Sequence, residues 1–194
     1  MNPLRKTLLS LAVLGVAGAV AGTGAFSAFS KTTSNDGNEV TAGDVTLADN
    51  DAGVAAYDMP TAKPGDTNER CIRVTFNGNL PSTVKLYRTA FTGSTGLESN
   101  VNLTILKSAT GTQANCSDFG SSSSVFATAA LSTFSGTSFS NGITLTDQTG
   151  SAVWNNGDAV TYRITATLPS SGVPDTAQGK TTGTHSFVWE AQNN

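Results

Sequence analysis

An alternation of apolar and polar residues over positions 159–168 constrains the fold of this chain more than any other feature. Every second residue from Val160 to Leu168 is apolar. The residues between them should face water, and they are three threonines and an arginine: Thr161, Arg163, Thr165 and Thr167. A period of two with β-branched residues on one face is typical of a half-buried β-strand.

A second segment with the same period, residues 70–76, places Ile72, Val74 and Phe76 on one face. Cys71 then lies on the opposite face, at the outer side of a sheet or at its rim. Beyond residue 40, no stretch has a helical period that survives its glycine and serine content. The chain should therefore fold from strands.

Turn sequences divide the rest of the chain into short segments. KPGD at 63–66, NGN at 77–79, LPS at 80–82 and NNGD at 155–158 supply fixed or positive φ angles. Ser-rich residues 121–124 and 132–141 predict long mobile loops. The further candidate strands are 40–48, 55–59, 83–91, 101–107, 125–134, 142–146 and 184–191. About nine strands with regular turns predict an all-β fold, an antiparallel sandwich.

The first thirty residues have the pattern of an export signal. Arg5 and Lys6 precede an uncharged run at 7–29, and small residues surround Ala28. We expect cleavage after Ala28, so that the mature chain begins at Phe29; a retained membrane anchor is the alternative, since about 20 apolar residues can span a bilayer. The predicted parts are a signal peptide (1–28), an N-terminal segment (29–41) and a sandwich domain (42–194). The protein should be secreted, extracellular or on the cell surface.

Net charge and composition limit the classes of partner that the protein can bind. Loss of two basic residues with the signal would change the net charge from −3 to −5. An acidic surface gives no electrostatic reason to bind nucleic acid or anionic membrane. Hydrophobic residues make up 38% of the chain and charged ones 13%, a balance that can bury a core. We expect one compact domain with no nucleic-acid partner and no stable membrane anchor after processing.

The two cysteines, Cys71 and Cys116, both lie in the exported part. In an oxidising compartment such a pair usually forms a disulfide. Two unrelated buried thiols are the alternative. A bridge would close a loop of about 45 residues and stabilise the fold by roughly 4 kcal/mol. With no CxxC pair and one histidine, the sequence predicts no metal and no cofactor.

Three segments carry a resemblance to a known family. The first segment runs from GTGAFSAFSK (22–31) into NEVTAGDVTL (38–47). The second holds a PGD turn and an N-x-G-x-L-P turn within AKPGDTNERCIRVTFNGNLPSTVKLYR (62–88). In the third, a Q-G-K connection follows NGDAVTYRITATLP (156–169) and lies within TAQGKTTGTHSFVWEAQ (176–192). In this order and spacing they resemble the TasA and CalY (camelysin) family of secreted fibre-forming proteins of the biofilm matrix. Residues 93–149 carry none of its motifs. The resemblance implies a jelly-roll sandwich processed by a dedicated signal peptidase.

The resemblance also implies polymerisation by donor-strand exchange. The N-terminal segment of one subunit would complete an open sheet of the next, and head-to-tail addition would give a filament, with accessory fibre subunits as further partners. The donor segment here is FSKTTSNDGNEV (29–40), and its donor-strand residues are Phe29, Thr33 and Val40. Lys31 stands where many relatives have an acid, and only Phe29 and Val40 are apolar. A disordered mature N terminus is the alternative.

Some camelysin-type relatives are described as metallopeptidases, which makes an enzyme a class to test. The chain has no HExxH motif, and its single histidine, His185, alternates with Phe187 and Trp189 as an inward or rim residue of a sandwich would. No GxSxG motif accompanies it. We expect a structural protein and no enzyme. A monomeric surface adhesin or accessory subunit is the second interpretation, and a metallopeptidase is the third.

The acidic run at 49–53, DNDAG, resembles the start of a calcium loop. Its twelfth position is Pro60 where such a loop needs Glu. We predict ordinary Asx turns there.

Overall fold

The computed structural model describes residues 42–193, which form nine β-strands and four single-turn 3-10 helices. The predicted signal peptide (1–28) and N-terminal segment (29–41) lie outside these residues. The strands are β1 Leu47–Asp49, β2 Thr67–Phe76, β3 Ser82–Arg88, β4 Asn102–Ser108, β5 Ser122–Ala130, β6 Ile143–Thr144, β7 Val153–Trp154, β8 Ala159–Thr167 and β9 Phe187–Asn193. No helix within residues 42–193 is long and apolar enough to cross a membrane.

The strands build two antiparallel sheets. One has five strands in the order β1-β2-β8-β4-β5. In the other, β6 and β7 pair with different halves of one edge of β3, and β9 pairs with β3 along its whole length. The predicted all-β antiparallel sandwich is confirmed.

The core lies between the inward faces of the two sheets. In β8 the apolar positions Val160 to Leu168 are all buried, as are Ile72, Val74 and Phe76 of β2. Both alternations were therefore assigned to the correct face. The other sheet contributes Val84, Leu86 and the fully buried Trp154.

A disulfide joins Cys71 to Cys116, with 5.2 Å between the two Cα atoms. Cys71 is buried although it points away from the core, because the loop at 109–121 lies over this part of β2. The Cys71 N–H donates to the Ala114 carbonyl. The predicted disulfide is confirmed.

The same loop corrects one prediction about β8. Thr161 was expected to face water, but it is 1% exposed and donates its hydroxyl to the Gly111 carbonyl. Arg73 donates to that carbonyl as well. Alternation identified which face of β8 points away from the core; it could not show that a loop distant in sequence covers that face.

Three boundary predictions are also corrected. Residues 55–59 form no strand, whereas the short strand β7 was not predicted. Ser122 to Ser124, assigned to a loop, begin β5. Pairing with β4 places these serines in a sheet despite their low β-propensity.

The described chain begins at one end of the sandwich, beside the β2–β3 turn. The Asp44 carbonyl accepts the N–H groups of Asn79 and Leu80, and the Thr46 carbonyl accepts that of Asn77. The register of β3 with β9 places Asn193 opposite Ser82, at this same end. The described chain therefore begins at the end of the sandwich where β9 ends.

Candidate functional site

The outer edge of β9 is the best candidate for a site of interaction. The backbone N–H and C=O groups of the even-numbered residues of β3 point toward β6. The Leu145 N–H donates to the Val84 carbonyl, and the Arg88 N–H donates to the Gly136 carbonyl. On the other side, Thr89 donates to the Ser186 carbonyl. Odd-numbered residues of β3 therefore bond to even-numbered residues of β9.

This pattern leaves four residues of β9 with backbone groups directed away from β3. They are Phe187, Trp189, Ala191 and Asn193. Within residues 42–193, no backbone group lies in hydrogen-bond contact with them from the outer side. A strand with open N–H and C=O groups is a template for another strand.

Beneath this edge lies a cluster of aromatic rings, of which Phe134 and Tyr162 are fully buried. The Phe187 ring centroid lies 5.8 Å from that of Phe134, and the Trp189 centroid lies 5.6 Å from that of Tyr162 on β8. His185 packs edge-on against Phe91 and Phe187. Phe187 and Trp189 remain partly exposed because no strand lies beyond β9 in the described sheet.

We call this side of the sandwich the open flank; β9 bounds it in one sheet, and β1 and β2 bound it in the other. Four side-chain polar atoms in the described part of the chain are buried without a hydrogen-bond partner: Arg70 Nε, Tyr162 OH, His185 Nδ1 and Trp189 Nε1. All four residues belong to the inward faces of β2 and β8 or to β9 and its approach. Each such atom costs roughly 1–3 kcal/mol if nothing satisfies it.

The surroundings of His185 favour its neutral form. Burial lowers the pKa of its imidazole, and the positive charge of Arg88 lowers it further. Its Nε2 atom lies 2.7 Å from the Tyr57 hydroxyl. Burial also raises the pKa of Tyr57, so the phenol keeps its proton.

Arg88 is held in place by packing and backbone oxygens. It is 8% exposed, stacks 3.9 Å from the Phe91 ring centroid and donates to the carbonyls of Phe134 and Thr89. Burial lowers the pKa of the guanidinium below its ordinary value. It remains a cation and is a fixed positive charge beside His185.

The segment at 55–62 (AAYDMPTA) covers part of the open flank. Ala56, Tyr57, Met59 and Ala62 pack against the core, and Tyr57 also contacts Phe187, with ring centroids 6.3 Å apart. The sequence predicted a strand at 55–59 and gave Tyr57 no role. The sequence shows its apolar residues, but the segment forms no strand because it has no pairing partner and because Pro60 cannot donate to a neighbouring strand.

The other sheet edges are less suitable. β1 has only three residues. β5 is longer and uncharged, but its pairing with β4 shifts register twice, and such irregular edges discourage further pairing. None of the four unsatisfied atoms belongs to β5 or to its neighbour β4.

A polar cleft of about 340 Å³ lies at the other side of the sandwich, beside Lys107 and Asp147. Lys107 donates to the Thr146 carbonyl, and the Asp147 carboxylate accepts the N–H groups of Thr149 and Ser151. Both charged groups of the cleft thus already make hydrogen bonds within the chain, which leaves them less available to a ligand.

The remaining predicted sites divide between those that the structure describes and those outside it. The cleavage residues Ala28 and Phe29 and the donor residues Phe29, Thr33 and Val40 lie outside residues 42–193. The Asx turns are confirmed, since Asp49 accepts the Asp51 N–H and Asp51 accepts the Gly53 N–H. The described residues contain no group of three or more acidic, His or Cys side chains that could hold a metal ion.

The sequence matches no protein-family model and no curated protein.

Proposed function

We propose that the chain is a secreted structural subunit, a jelly-roll sandwich that polymerises into extracellular fibres by donor-strand exchange. After cleavage at Ala28 by a dedicated signal peptidase, residues 29–40 of one copy add to the outer edge of β9 in the next. The fibre is a homopolymer of a biofilm-matrix or pilus-like kind, to which accessory subunits can join.

One observation carries this proposal, namely the open flank. There a seven-residue strand presents unpaired backbone groups directly beside partly exposed aromatic rings and buried polar atoms without partners. An added strand supplies hydrogen-bond partners to the backbone groups and covers the aromatic rings. In a monomer the backbone groups would stay unpaired, the rings partly exposed and the buried polar atoms without partners.

The composition of the donor segment fits this flank. FSKTTSNDGNEV supplies hydroxyl, amide and carboxylate groups, which can bond to the Arg70, Trp189 and His185 nitrogens. Its few apolar residues are then less of a disadvantage, because part of the surface to be satisfied is polar. The filament follows from geometry, since head-to-tail addition does not close on itself.

The proposal is tested by placing a proline on the acceptor edge. Ala191→Pro removes only an N–H that points away from β3, so the sandwich should still fold. The mature chain from Phe29, viewed by negative-stain microscopy, should form filaments, and Ala191→Pro should abolish them. Circular dichroism melting of both proteins checks the fold.

Ala130→Pro is the matched control. Leu131 donates to the Val101 carbonyl, so Ala130 points away from β4, and its φ of −56° suits proline. Filaments should persist in this variant. Filaments of Ala191→Pro at the wild-type protein concentration would refute the β9 acceptor, and their loss in Ala130→Pro alone would assign the acceptor to β5.

A further inference from the structure

The segment at 55–62 is held on the open flank by side chains. None of its residues makes a backbone-to-backbone hydrogen bond within residues 42–193. Its polar attachments are the Tyr57–His185 bond of 2.7 Å and a weak one of 3.4 Å from the Asn68 amide to the Asp58 carbonyl. Its other attachment is the packing of four partly buried side chains. A segment held in this way can leave without breaking a sheet.

This segment is also an incomplete occupant of the flank. It satisfies one nitrogen of His185 and leaves the other without a partner, and it leaves Arg70 Nε and Trp189 Nε1 without one. Nor does it bond to the outward backbone groups of Phe187, Trp189 or Ala191. An extended segment that bonded both to these side-chain nitrogens and to the outward backbone groups of β9 would bind the flank better.

We infer that residues 55–62 are a strap that occupies the donor site of the free subunit and is displaced by residues 29–40 of a second copy. This inference rests on the proposed function. It adds that polymerisation is a competition at one site, between a strap in the same chain and a strand from another. The strap keeps the free subunit soluble by covering Phe187, and it sets the concentration above which filaments form.

Length and chemistry identify the donor as the occupant. At about 3.3 Å per residue, the seven residues of β9 span roughly 23 Å and the twelve of the donor roughly 40 Å, so one donor covers the whole edge. The donor lacks proline, whereas the strap contains Pro60. Proline cannot donate to a strand, so the strap is the poorer partner for β9.

The first test removes the hydroxyl that ties the strap to His185. In the mature chain, Tyr57→Phe weakens the strap in the free subunit and leaves the filament, from which the strap has been displaced, unaffected. Its critical concentration should fall about twofold to tenfold, the range expected for one hydrogen bond. Tyr87→Phe is the matched control, because it removes the hydroxyl bond to Glu190 on the strand pair β3–β9, away from the strap.

The second test uses Met59 as a reporter of the strap. The chain has two methionines, and Met1 leaves with the signal, so Met59 is the one methionine of the mature protein. It packs against the core in the free subunit. Its oxidation by peroxide, followed as a gain in intact mass, should therefore be faster in filaments than in monomers.

The outcomes separate the two proposals. If wild-type filaments form but Tyr57→Phe has the critical concentration of Tyr87→Phe or a higher one, the strap inference is wrong. The same holds if Met59 is oxidised no faster in filaments. If the wild-type mature chain forms no filaments at any concentration, the proposed function fails, and the strap inference fails with it.

Discussion

His185 couples the open flank to pH. Both its burial and the Arg88 charge lower the pKa of the imidazole, while the Tyr57 hydroxyl bonds to Nε2. Protonation would therefore place a second positive charge beside Arg88 and make both ring nitrogens of His185 hydrogen-bond donors.

The stability of the fold should therefore fall as pH decreases through about 6.5, the ordinary pKa of histidine. As the pH falls through this value, His185 of the unfolded chain takes up a proton more readily than His185 of the folded chain. The contribution of His185 to the free energy of unfolding is therefore complete above this pH and is lost below it. Urea unfolding at a series of pH values between 5 and 7.5 measures it. In His185→Gln, which keeps a polar partner for Tyr57, this dependence should disappear.

Carboxylates act in a different pH range. Glu190, for example, has a pKa held below its ordinary value by a hydrogen bond from Tyr87, so its contribution is lost only in more acidic solution. An equal loss of stability in His185→Gln between pH 7 and 5 would contradict the assignment to His185.

Gly78 shows what residue-level sequence reasoning missed. Its turn was predicted from a need for positive φ, which Gly65 and Gly157 of the other turns do have, at 95° and 88°. Gly78 has no positive φ; a Cβ there would lie 2.7 Å from the Asp44 carbonyl oxygen and 2.9 Å from the Thr46 nitrogen. Glycine is needed because two backbone segments meet, and a close approach of residues 34 positions apart leaves no local pattern.

At the level of elements, alternation predicted a strand well where one face packs on the core and a partner exists. β2 and β8 have both, and their pairing runs from Thr67 opposite Thr167 to Thr75 opposite Ala159. The strap has apolar residues but no strand partner, so the strand predicted at 55–59 is wrong. β7 has two residues, too few for any period, and is a strand only because β3 lies beside it.

The loop at 109–121 is an element maintained by the disulfide. Cys116 has a φ of 61°, which costs a non-glycine residue roughly 1–2 kcal/mol, and the bond to Cys71 accounts for its presence there. Asp118 closes the loop by accepting the N–H groups of Thr112 and Gln113. The loop in turn buries Thr161.

Replacing both cysteines by alanine should therefore destabilise the protein and loosen this loop. With 45 positions between the cysteines, the loop-closure estimate is roughly 4 kcal/mol. Urea unfolding should show a lower midpoint, and limited proteolysis should cut first within residues 109–121. An unchanged midpoint with the loop still protected would mean that hydrogen bonds alone hold it.

At the level of the whole molecule, the two halves of the proposed junction differ in how far sequence reveals them. The donor is a contiguous segment, so the resemblance could assign it to Phe29, Thr33 and Val40. The acceptor depends on which strand ends up at an edge, and that is set by the order of strands in the sheets. Trp189 and Arg70 are 119 positions apart, and no local pattern indicates that both border one flank.

Phe29 should be the principal apolar anchor of that junction. Burying one phenylalanine side chain contributes roughly 1.5–3 kcal/mol, so Phe29→Ala in the mature chain should raise the critical concentration for filaments by roughly tenfold to a hundredfold. The sandwich at 42–193 should melt at an unchanged temperature, because Phe29 belongs to the proposed donor segment. Sedimentation of filaments over a range of protein concentrations measures the shift.

Val153→Ala is the control: it trims an exposed apolar side chain on β7, at the edge of β3 opposite β9, and should leave the critical concentration unchanged. Equal critical concentrations for wild type and Phe29→Ala would show that the donor binds without this anchor, and filaments from a chain lacking residues 29–39 would exclude donor-strand exchange altogether.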